Sequence, residues 1–314
     1  MSILKNSLIG FIIGDSMGVP IEFEERSTLK EYPLTEMVGY GSYDEPAGTW
    51  SDDTSMTLAT LDSIIEKQTI DYYDITTKFC EWVNNAKYTA TNHIFDIGIT
   101  TKYALVRFFV DKIEPIKCGG VLDCENGNGS LMRMIPIVLY TYYNNLDDDA
   151  LFEIVKNTSS ITHAHEISIM GCYIYVKYLL RLIKTNDLFE SYQYIKKLAY
   201  DKYFRQDTID IYERILKKDI YQYSIDEIKS SGFIVHTLEA VLWVVLNTNN
   251  FKDSIVLAIN LGEDTDTIGA ITGSITGVKY GFENMPAEWI NKIQKLDYIY
   301  SLIDNWDKIY NKKC

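Results

Sequence analysis

Two acidic turns that lie far apart in the sequence most constrain how this chain of 314 residues can fold. The first acidic turn is Gly48–Thr54, the second acidic turn is Leu261–Thr267, and each runs directly into an apolar segment with helical spacing. Carboxylates held about 4 Å apart repel by on the order of 4 kcal/mol per pair at a surface-like dielectric, so four of them in one cleft need protons or cations between them. We therefore expect the fold to join the two turns as halves of one cation site.

The polar side chains of both turns offer only oxygen atoms to a ligand. Such donors favour Mg²⁺, Mn²⁺ or Ca²⁺ over zinc or copper. The competing interpretation is that a residue of Ser51–Asp53 caps the helix that follows it, and that Asp264 or Asp266 caps the next one. For either turn alone both interpretations remain open. As joint ligands, Asp264 and Asp266 are expected in the loop before Ile268, because residues two apart do not share a helix face.

Apolar residues recur at helical spacing along most of the chain. Four stripes carry this pattern: Leu4, Leu8, Phe11 and Ile12; Leu58, Leu61 and Ile65; Ile169, Cys172, Val176, Leu179 and Ile183; Ile234, Leu238, Val241, Leu242 and Val245. No convincing run alternates as a strand would. The strongest interior break is expected at Lys117–Ser130, and a softer one at Tyr200–Ser231. The sequence therefore predicts an all-α fold, with a single domain over residues 1–314.

In the segment Ile268–Lys279, glycines recur at four-residue intervals, at Gly269, Gly273 and Gly277. A helix face of this kind lets another helix approach closely. The segment is too short to span a membrane and ends in a lysine, so we expect this close packing inside the protein. Such packing would bury the helix and fix the second acidic turn.

The acidic balance of the chain argues against several classes of partner. The 30 basic and 44 acidic residues give a formal net charge of −14, which disfavours nucleic acid or an anionic membrane. No stretch reaches the ~20 uninterrupted apolar residues of a membrane span, and the apolar run Ser7–Gly14 is interpreted as a buried helix and not as a signal peptide. Five cysteines without paired spacing predict reduced thiols in a cytoplasmic protein: Cys80, Cys118, Cys124, Cys172 and Cys314.

Three further places could contribute polar groups to a site. Glu22 has apolar neighbours that could raise its pKa and make it a usable base, whereas Asp15 is expected to be solvated or to cap a helix, both on irregular backbone. The glycine loop Asn126–Arg133 could cradle a phosphate with its N–H groups at a helix start, although a plain tight turn remains the alternative. A zinc site at His163 and His165 lacks a strand pattern and a cysteine partner, so a single histidine at the start of the Ile169–Ile183 helix is expected to touch the phosphate or ribose of a ligand instead.

Two other metal-dependent motifs share features with the second acidic turn. An EF-hand starting at Asp264 would need ligands at its fifth and twelfth positions, where Ile268 and Ile275 stand, so that motif fails. An aspartyl-phosphate-forming phosphatase would place Asp264 and Asp266 after a strand of a parallel sheet. The residues that follow Asp266 have helical spacing, which disfavours that class of enzyme.

Five segments together resemble the ADP-ribosylglycohydrolases related to dinitrogenase-reductase-activating glycohydrolase. They are Gly14–Glu22, Trp50–Thr54, Gly127–Arg133, Thr162-His163 and Leu261–Thr267. They occur in the order of the family and cover nearly the whole chain. The resemblance implies a compact, orthogonal multi-helix bundle with a binuclear Mg²⁺ or Mn²⁺ centre in a cleft.

The resemblance also implies the residues of the site. The metal ligands would be Ser51, Asp52, Asp53, Asp264, Asp266 and Thr267. Glu22, Asp96 and Asp53 would carry the catalysis, with Glu22 beside the metals and Asp96 at an acidic position found in the arginine-specific branch. The pyrophosphate and ribose would be held by Gly127, Asn128, Gly129 and Ser130, with His163 nearby. Three residues depart from the family pattern: Ser51 replaces a threonine, Glu263 a glycine and His236 an acidic residue.

The implied reaction is hydrolysis of the bond between the ribose anomeric carbon of ADP-ribose and a modified side chain, with arginine as the expected target. The partner would be an ADP-ribosylated protein or an ADP-ribose-containing small molecule. An acidic cleft suits positive charge that develops toward an oxocarbenium ion. The alternative is a non-catalytic protein that binds ADP-ribose or has kept only the fold. The intact set of carboxylates and hydroxyls favours the enzyme, because a scaffold would not require it.

Overall fold

The computed structural model of the protein describes residues 2–310, and within this range it contains α-helices and short 3₁₀ turns but no strand. The helices are α1 (Ile3–Gly18), α2 (Arg26–Glu31), α3 (Asp52–Lys67), α4 (Tyr72–Asn85), α5 (Ile99–Phe109), α6 (Ile135–Asn144), α7 (Asp148–Ser160), α8 (Glu166–Thr185), α9 (Leu188–Ile195), α10 (Gln206–Ile211), α11 (Glu213–Leu216), α12 (Ile234–Asn247), α13 (Phe251–Ile259), α14 (Thr265–Tyr280), α15 (Ala287–Lys292) and α16 (Leu296–Tyr310). The 3₁₀ turns are Val19–Ile21, Pro115–Lys117, Asp123–Glu125, Tyr200–Lys202, Ile220–Gln222, Ile225–Glu227 and Phe282–Asn284. The predicted all-α class is confirmed.

The centre of the fold is the close pairing of α1 with α14. Glycines face each other across this pair: a β-carbon added at Gly10 would lie 2.2 Å from the carbonyl oxygen of Gly273, one at Gly14 would lie 1.9 Å from that of Gly269, and one at Gly18 would lie 2.3 Å from Cα of Asp266. Residue numbers rise along one helix as they fall along the other, so the two helices are antiparallel. The predicted close packing of the glycine face is confirmed, and its partner is the first helix of the chain.

The other helices pack around this pair in two groups. Helices α8, α12 and α13 pack on α14, whereas α4, α6 and α16 pack on α3. The four predicted apolar stripes lie in α1, α3, α8 and α12, and nearly all of their side chains are buried. The two predicted breaks are also present, because residues 117–130 and 200–231 contain only short helices and turns.

The central pair places both acidic turns at one end of the bundle. The C-terminal end of α1 lies against the N-terminal end of α14, which begins at Thr265. Asp266 is therefore in the first helical turn, and the expectation of a loop up to Ile268 was wrong. The expected irregular backbone at Asp15 was also wrong, because α1 continues to Gly18 and buries Asp15 completely.

Membrane spans and disulfides were both predicted to be absent. No helix of residues 2–310 combines the length and the apolar character that crossing a bilayer requires. Within the same residues Cys80, Cys118, Cys124 and Cys172 are free thiols. The fifth cysteine, Cys314, lies outside the described residues.

Candidate active site

The side chain of Asp15 connects α1 to the first acidic turn. Its carboxylate accepts hydrogen bonds from the backbone N–H of Ser51 (2.9 Å), from the N–H of Thr54 (3.1 Å) and from the hydroxyl of Thr54 (2.6 Å). Asp15, which belongs to α1, thus caps N–H groups at the start of α3 that have no partner within their own helix. Its predicted capping role is confirmed, and the solvated alternative is wrong. The contact holds the start of α3 against α1.

The second acidic turn is tied to the same place by its own hydroxyls. The hydroxyl of Thr265 donates to the carbonyl of Gly18 (2.8 Å), and the hydroxyl of Thr267 donates to Oδ1 of Asp53 (3.3 Å). The second of these contacts joins the two acidic turns directly. The fold therefore brings together the two turns that the sequence separates.

A cleft of about 290 Å³ opens where the two turns meet. Six carboxylates line it: Glu22, Asp52, Asp53, Asp96, Asp264 and Asp266. Oxygen atoms of Glu22, Asp96 and Asp266 lie within 4.8 Å of one another, which is close enough for one metal ion to contact all three. The predicted catalytic carboxylates and the acidic members of the predicted ligand set thus share one cavity.

Burial and mutual repulsion disfavour the charged forms of these carboxylates. Burial, followed by the charges of Asp96 and Asp264, raises the pKa of Glu22 to about 9. Burial also raises the pKa values of Asp52, Asp53 and Asp266 well above their ordinary range. A cation in the cleft would reverse this effect, because opposite charge favours the ionised form.

Several carboxylate oxygens in the cleft have no hydrogen-bond partner within residues 2–310. They are Oε2 of Glu22, Oδ2 of Asp53 and Oδ1 of Asp266, and each is buried. Buried polar atoms without partners are uncommon, and a bound cation would satisfy these three oxygens. Oxygen-only donors fit a hard divalent cation. The cluster could therefore hold a metal ion.

The glycine loop and one histidine also line the cleft. Gly127, Asn128, Gly129 and His163 all line the cavity. The amide of Asn128 donates to Oδ2 of Asp264 (2.8 Å) and to the hydroxyl of Thr237 (2.9 Å), so the loop is fastened to the second acidic turn. The loop is followed by a series of turns, and α6 begins only at Ile135, so it is not a helix N-terminus.

Two predicted site residues, Ser51 and Ser130, are not among the residues that line the cleft. Ser51 is the N-cap of α3, where its hydroxyl accepts from the N–H of Asp53 (3.3 Å), as the capping interpretation expects. Ser130 is completely buried and contacts Sγ of Cys172 (3.3 Å) and the hydroxyl of Ser159 (3.0 Å). Its side chain supports the glycine loop from behind. His236 is also not among the lining residues, and its Nδ1 contacts the hydroxyl of Ser231 (2.7 Å).

Some residues of the site were not found from the sequence. The guanidinium of Arg26 donates to the carbonyls of Leu261 and Ile225 and to the hydroxyl of Ser230, and so holds the loop before the second acidic turn. Thr101 lines the cleft with a buried hydroxyl that has no hydrogen-bond partner in the described part of the chain. Neither residue has a sequence signal, because each acts through contacts far away in the chain.

Glu263, for which the resemblance implies a glycine, adopts a left-handed backbone conformation with φ of 61°. Its N–H donates to the carbonyl of Glu24 (2.9 Å) and its carbonyl accepts from Phe23 (2.7 Å), so the turn holds the backbone beside Glu22. Its side chain is not part of the cleft lining. Its carboxylate is therefore not placed to contact a metal ion bound in the cleft.

We expect Glu263→Gly to stabilise the protein by less than about 1 kcal/mol, because the relief of left-handed strain is partly offset by the extra freedom of glycine in the unfolded chain. Urea unfolding would measure it. Glu263→Ala is the control, since it removes the carboxylate but keeps the strain. A clear loss of stability in the glycine variant would contradict the strain argument.

Comparisons with known proteins give one consistent family. The family model of the ADP-ribosylglycohydrolases matches residues 2–313. A protein of Serratia proteamaculans named ADP-ribosylarginine hydrolase Tri1 is 31% identical over 303 residues, which are 96% of this chain and 77% of that protein. The ADP-ribosyl-[dinitrogen reductase] glycohydrolase of Rhodospirillum rubrum is 26% identical over 289 residues, 91% of this chain and 88% of that protein. A solved structure titled ADP-ribosylglycohydrolase-related protein complex has the same fold, with a TM-score of 0.79, 24% identity and coverage of 97% of this chain and 96% of that one.

Proposed function

The chain belongs to the ADP-ribosylglycohydrolase family, and from this we propose that it hydrolyses the bond between ADP-ribose and an arginine side chain of a modified protein. Relatives in Serratia proteamaculans and Pseudomonas putida, 31% and 32% identical, carry the name ADP-ribosylarginine hydrolase. The observation that carries the proposal is the meeting of both acidic turns in one cleft, through the contact of Thr267 with Asp53. We further propose that the whole chain acts as one cytoplasmic domain.

The proposed cofactor is a pair of divalent cations, Mg²⁺ or Mn²⁺. Their ligands would come from both acidic turns: Ser51, Asp52, Asp53, Asp264, Asp266 and Thr267. The buried carboxylate oxygens of Asp53 and Asp266 that lack partners support this assignment. Bound ions would supply Lewis-acid stabilisation to ribose hydroxyls and to an attacking water molecule.

The proposed catalytic carboxylates are Glu22, Asp96 and Asp53. Glu22 lies at the cleft with a raised pKa, and its contact with the hydroxyl of Tyr43 helps to orient it. A carboxyl group of raised pKa can exchange a proton near neutral pH, which suits the removal of a proton from water or its delivery to the departing guanidine. The negative field of the cleft would stabilise positive charge on the ribose as the bond breaks.

The glycine loop is the proposed binding site for the diphosphate and ribose. Gly127, Asn128 and Gly129 face the cavity, and Ser130 supports them from behind. His163 and the unpartnered hydroxyl of Thr101 add two polar groups on the same wall. An anionic ligand needs such local groups, because the net charge of the chain is −14.

The proposal is tested by incubation of the protein with peptides ADP-ribosylated on arginine or on serine, in Mg²⁺ or Mn²⁺ and in excess EDTA. We expect release of ADP-ribose from the arginine peptide, loss of release in EDTA and its return when metal is restored, because carboxylates crowded in the cleft need a cation to work together. Release that continues in EDTA would reject the metal-dependent mechanism. Binding of ADP-ribose without release from either peptide would instead support a non-catalytic binding protein.

A further inference from the structure

Arg133 is a buried cation in the wall behind the cleft. Its side chain is completely buried, and no carboxylate of residues 2–310 forms an ion pair with it. Nη2 donates to the carbonyl oxygen of Thr158 (3.1 Å) and to the hydroxyl of Thr162 (2.8 Å), and the guanidinium lies over the ring of Phe79. A buried charge without a counter-ion is costly, so its position calls for a reason.

The hydroxyl of Thr162 connects Arg133 to His163. Its oxygen lies 2.8 Å from Nδ1 of His163 as well as 2.8 Å from Nη2 of Arg133. A guanidinium can only donate, so the threonine oxygen must accept from Arg133. The proton of the hydroxyl is then free to be donated, and Nδ1 of His163 is the acceptor within reach. If Nδ1 carried a proton instead, the buried hydroxyl proton would have no acceptor, which is unfavourable.

His163 is placed so that its other ring nitrogen meets the ligand. A β-carbon added at Gly129 would lie 2.9 Å from Cε1 and 3.5 Å from Nε2 of His163, so this edge of the ring faces the glycine loop. Nε2 has no hydrogen-bond partner among the described residues, and His163 lines the cleft. Burial and the charge of Arg133 lower the pKa of His163 to about 3, which keeps the ring neutral.

We propose that Arg133 and Thr162 form a positioning relay that holds His163 in the tautomer with the proton on Nε2, so that the ring donates a hydrogen bond to a diphosphate or ribose oxygen at the glycine loop. A neutral ring has one donor and one acceptor, and the wrong tautomer would present a lone pair to an anionic ligand. The relay therefore determines whether the contact between Nε2 of His163 and an anionic ligand is attractive or repulsive. The identity of the ligand rests on the proposed function, whereas the tautomer does not.

The test compares Thr162→Val, which removes the hydroxyl, with Thr162→Ser, which keeps it. Imidazole ¹⁵N shifts of the ligand-free protein at pH 7 report the tautomer directly, and His163→Asn identifies the signals among those of the four histidines. We expect the Nε2–H form in the wild type and the serine variant and a mixture of tautomers in the valine variant. Calorimetry with ADP-ribose is expected to show about tenfold weaker binding for the valine variant only, the effect of one hydrogen bond.

Each outcome of these measurements either contradicts or supports the proposed relay. An Nδ1–H tautomer in the wild type, or a valine variant with unchanged shifts and unchanged ADP-ribose affinity, would overturn it. Recovery of both measurements in the serine variant supports the relay over a general packing role, which a shorter side chain would not restore. If ADP-ribose does not bind the wild type at all, the proposed function fails, and the nitrogen shifts still decide the tautomer.

Discussion

Asp266→Asn is expected to lower the turnover of ADP-ribosylarginine on the order of a thousandfold, because a bound metal ion stabilises a transition state by several kcal/mol and each 1.36 kcal/mol changes the rate about tenfold. Asp266 is buried in the first turn of α14, and one of its oxygens lacks any partner. The amide keeps the size of the side chain but removes the charge that a cation requires. Single-turnover release of ADP-ribose from a labelled arginine peptide measures the change.

Although Asp266→Asn is expected to lower activity, it should not lower the stability of the metal-free protein. Burial and the charges of Glu22 and Asp53 raise the pKa of Asp266, so in EDTA the carboxylate gives no benefit and the amide should be at least as stable. Added Mn²⁺ should raise the unfolding temperature of the wild type and have much less effect on the variant, because a ligand stabilises only the state that binds it. Asp62→Asn is the control, since Asp62 pairs with Lys78 away from the cleft. Equal metal stabilisation of wild type and Asp266→Asn would contradict the assigned ligand role.

Gly14→Ala is expected to lower the free energy of unfolding by about 3 kcal/mol, at the upper end of the cost of overpacking. The new β-carbon would lie 1.9 Å from the carbonyl oxygen of Gly269 and 2.8 Å from the backbone N of Ala270. These atoms belong to a helix backbone, so they cannot move away by a change of rotamer as a flexible side chain can. The two central helices would have to separate, and the separation would also displace Asp15 and Asp266. Urea unfolding measures the loss.

Gly98→Ala is the matched control for this change. The nearest atom to its added β-carbon is the hydroxyl oxygen of Thr101, at 3.7 Å, so we expect little effect on stability. If Gly14→Ala unfolds at the same urea concentration as the wild type, the close approach of α1 and α14 is not required for the fold. The double variant Gly14→Ala with Gly269→Ala should be no better than the single one, since the contact at Gly14 is with backbone atoms.

The helical content and the acidic turns of the cleft could be predicted from the sequence because their signals are local, whereas Asp96 was named only through the family resemblance. The stripe that begins at Leu4 and the hydroxyl-carboxylate run at Ser51–Asp53 need only the spacing and chemistry of neighbouring residues. The raised pKa of Glu22 was also foreseen from its apolar neighbours, although its main cause is burial in the folded cleft and the added charge of Asp96 comes from another part of the chain.

The partners of single polar residues could not be foreseen in this way. Asp15 resembles any carboxylate near a helix end, and only the packing of α1 against α3 shows that it accepts three hydrogen bonds from the first acidic turn. Ser130 belongs to the glycine loop by sequence, yet the fold turns its hydroxyl toward Ser159. Spacing along a chain gives the face of a helix but not the face of the neighbour that covers it.

By itself the sequence determined that the chain would be helical, that its acidic turns would need a cation or protons, and that one glycine face would be packed closely. These properties follow from periodicity, charge and side-chain size, all of which are present in the unfolded chain. Only the tertiary structure decided that α1 covers the glycine face of α14, that Asp53 meets Thr267, and that Arg133 reaches His163 through Thr162. The reason is physical: long-range pairings depend on how whole helix surfaces fit together, and no single residue encodes its distant partner.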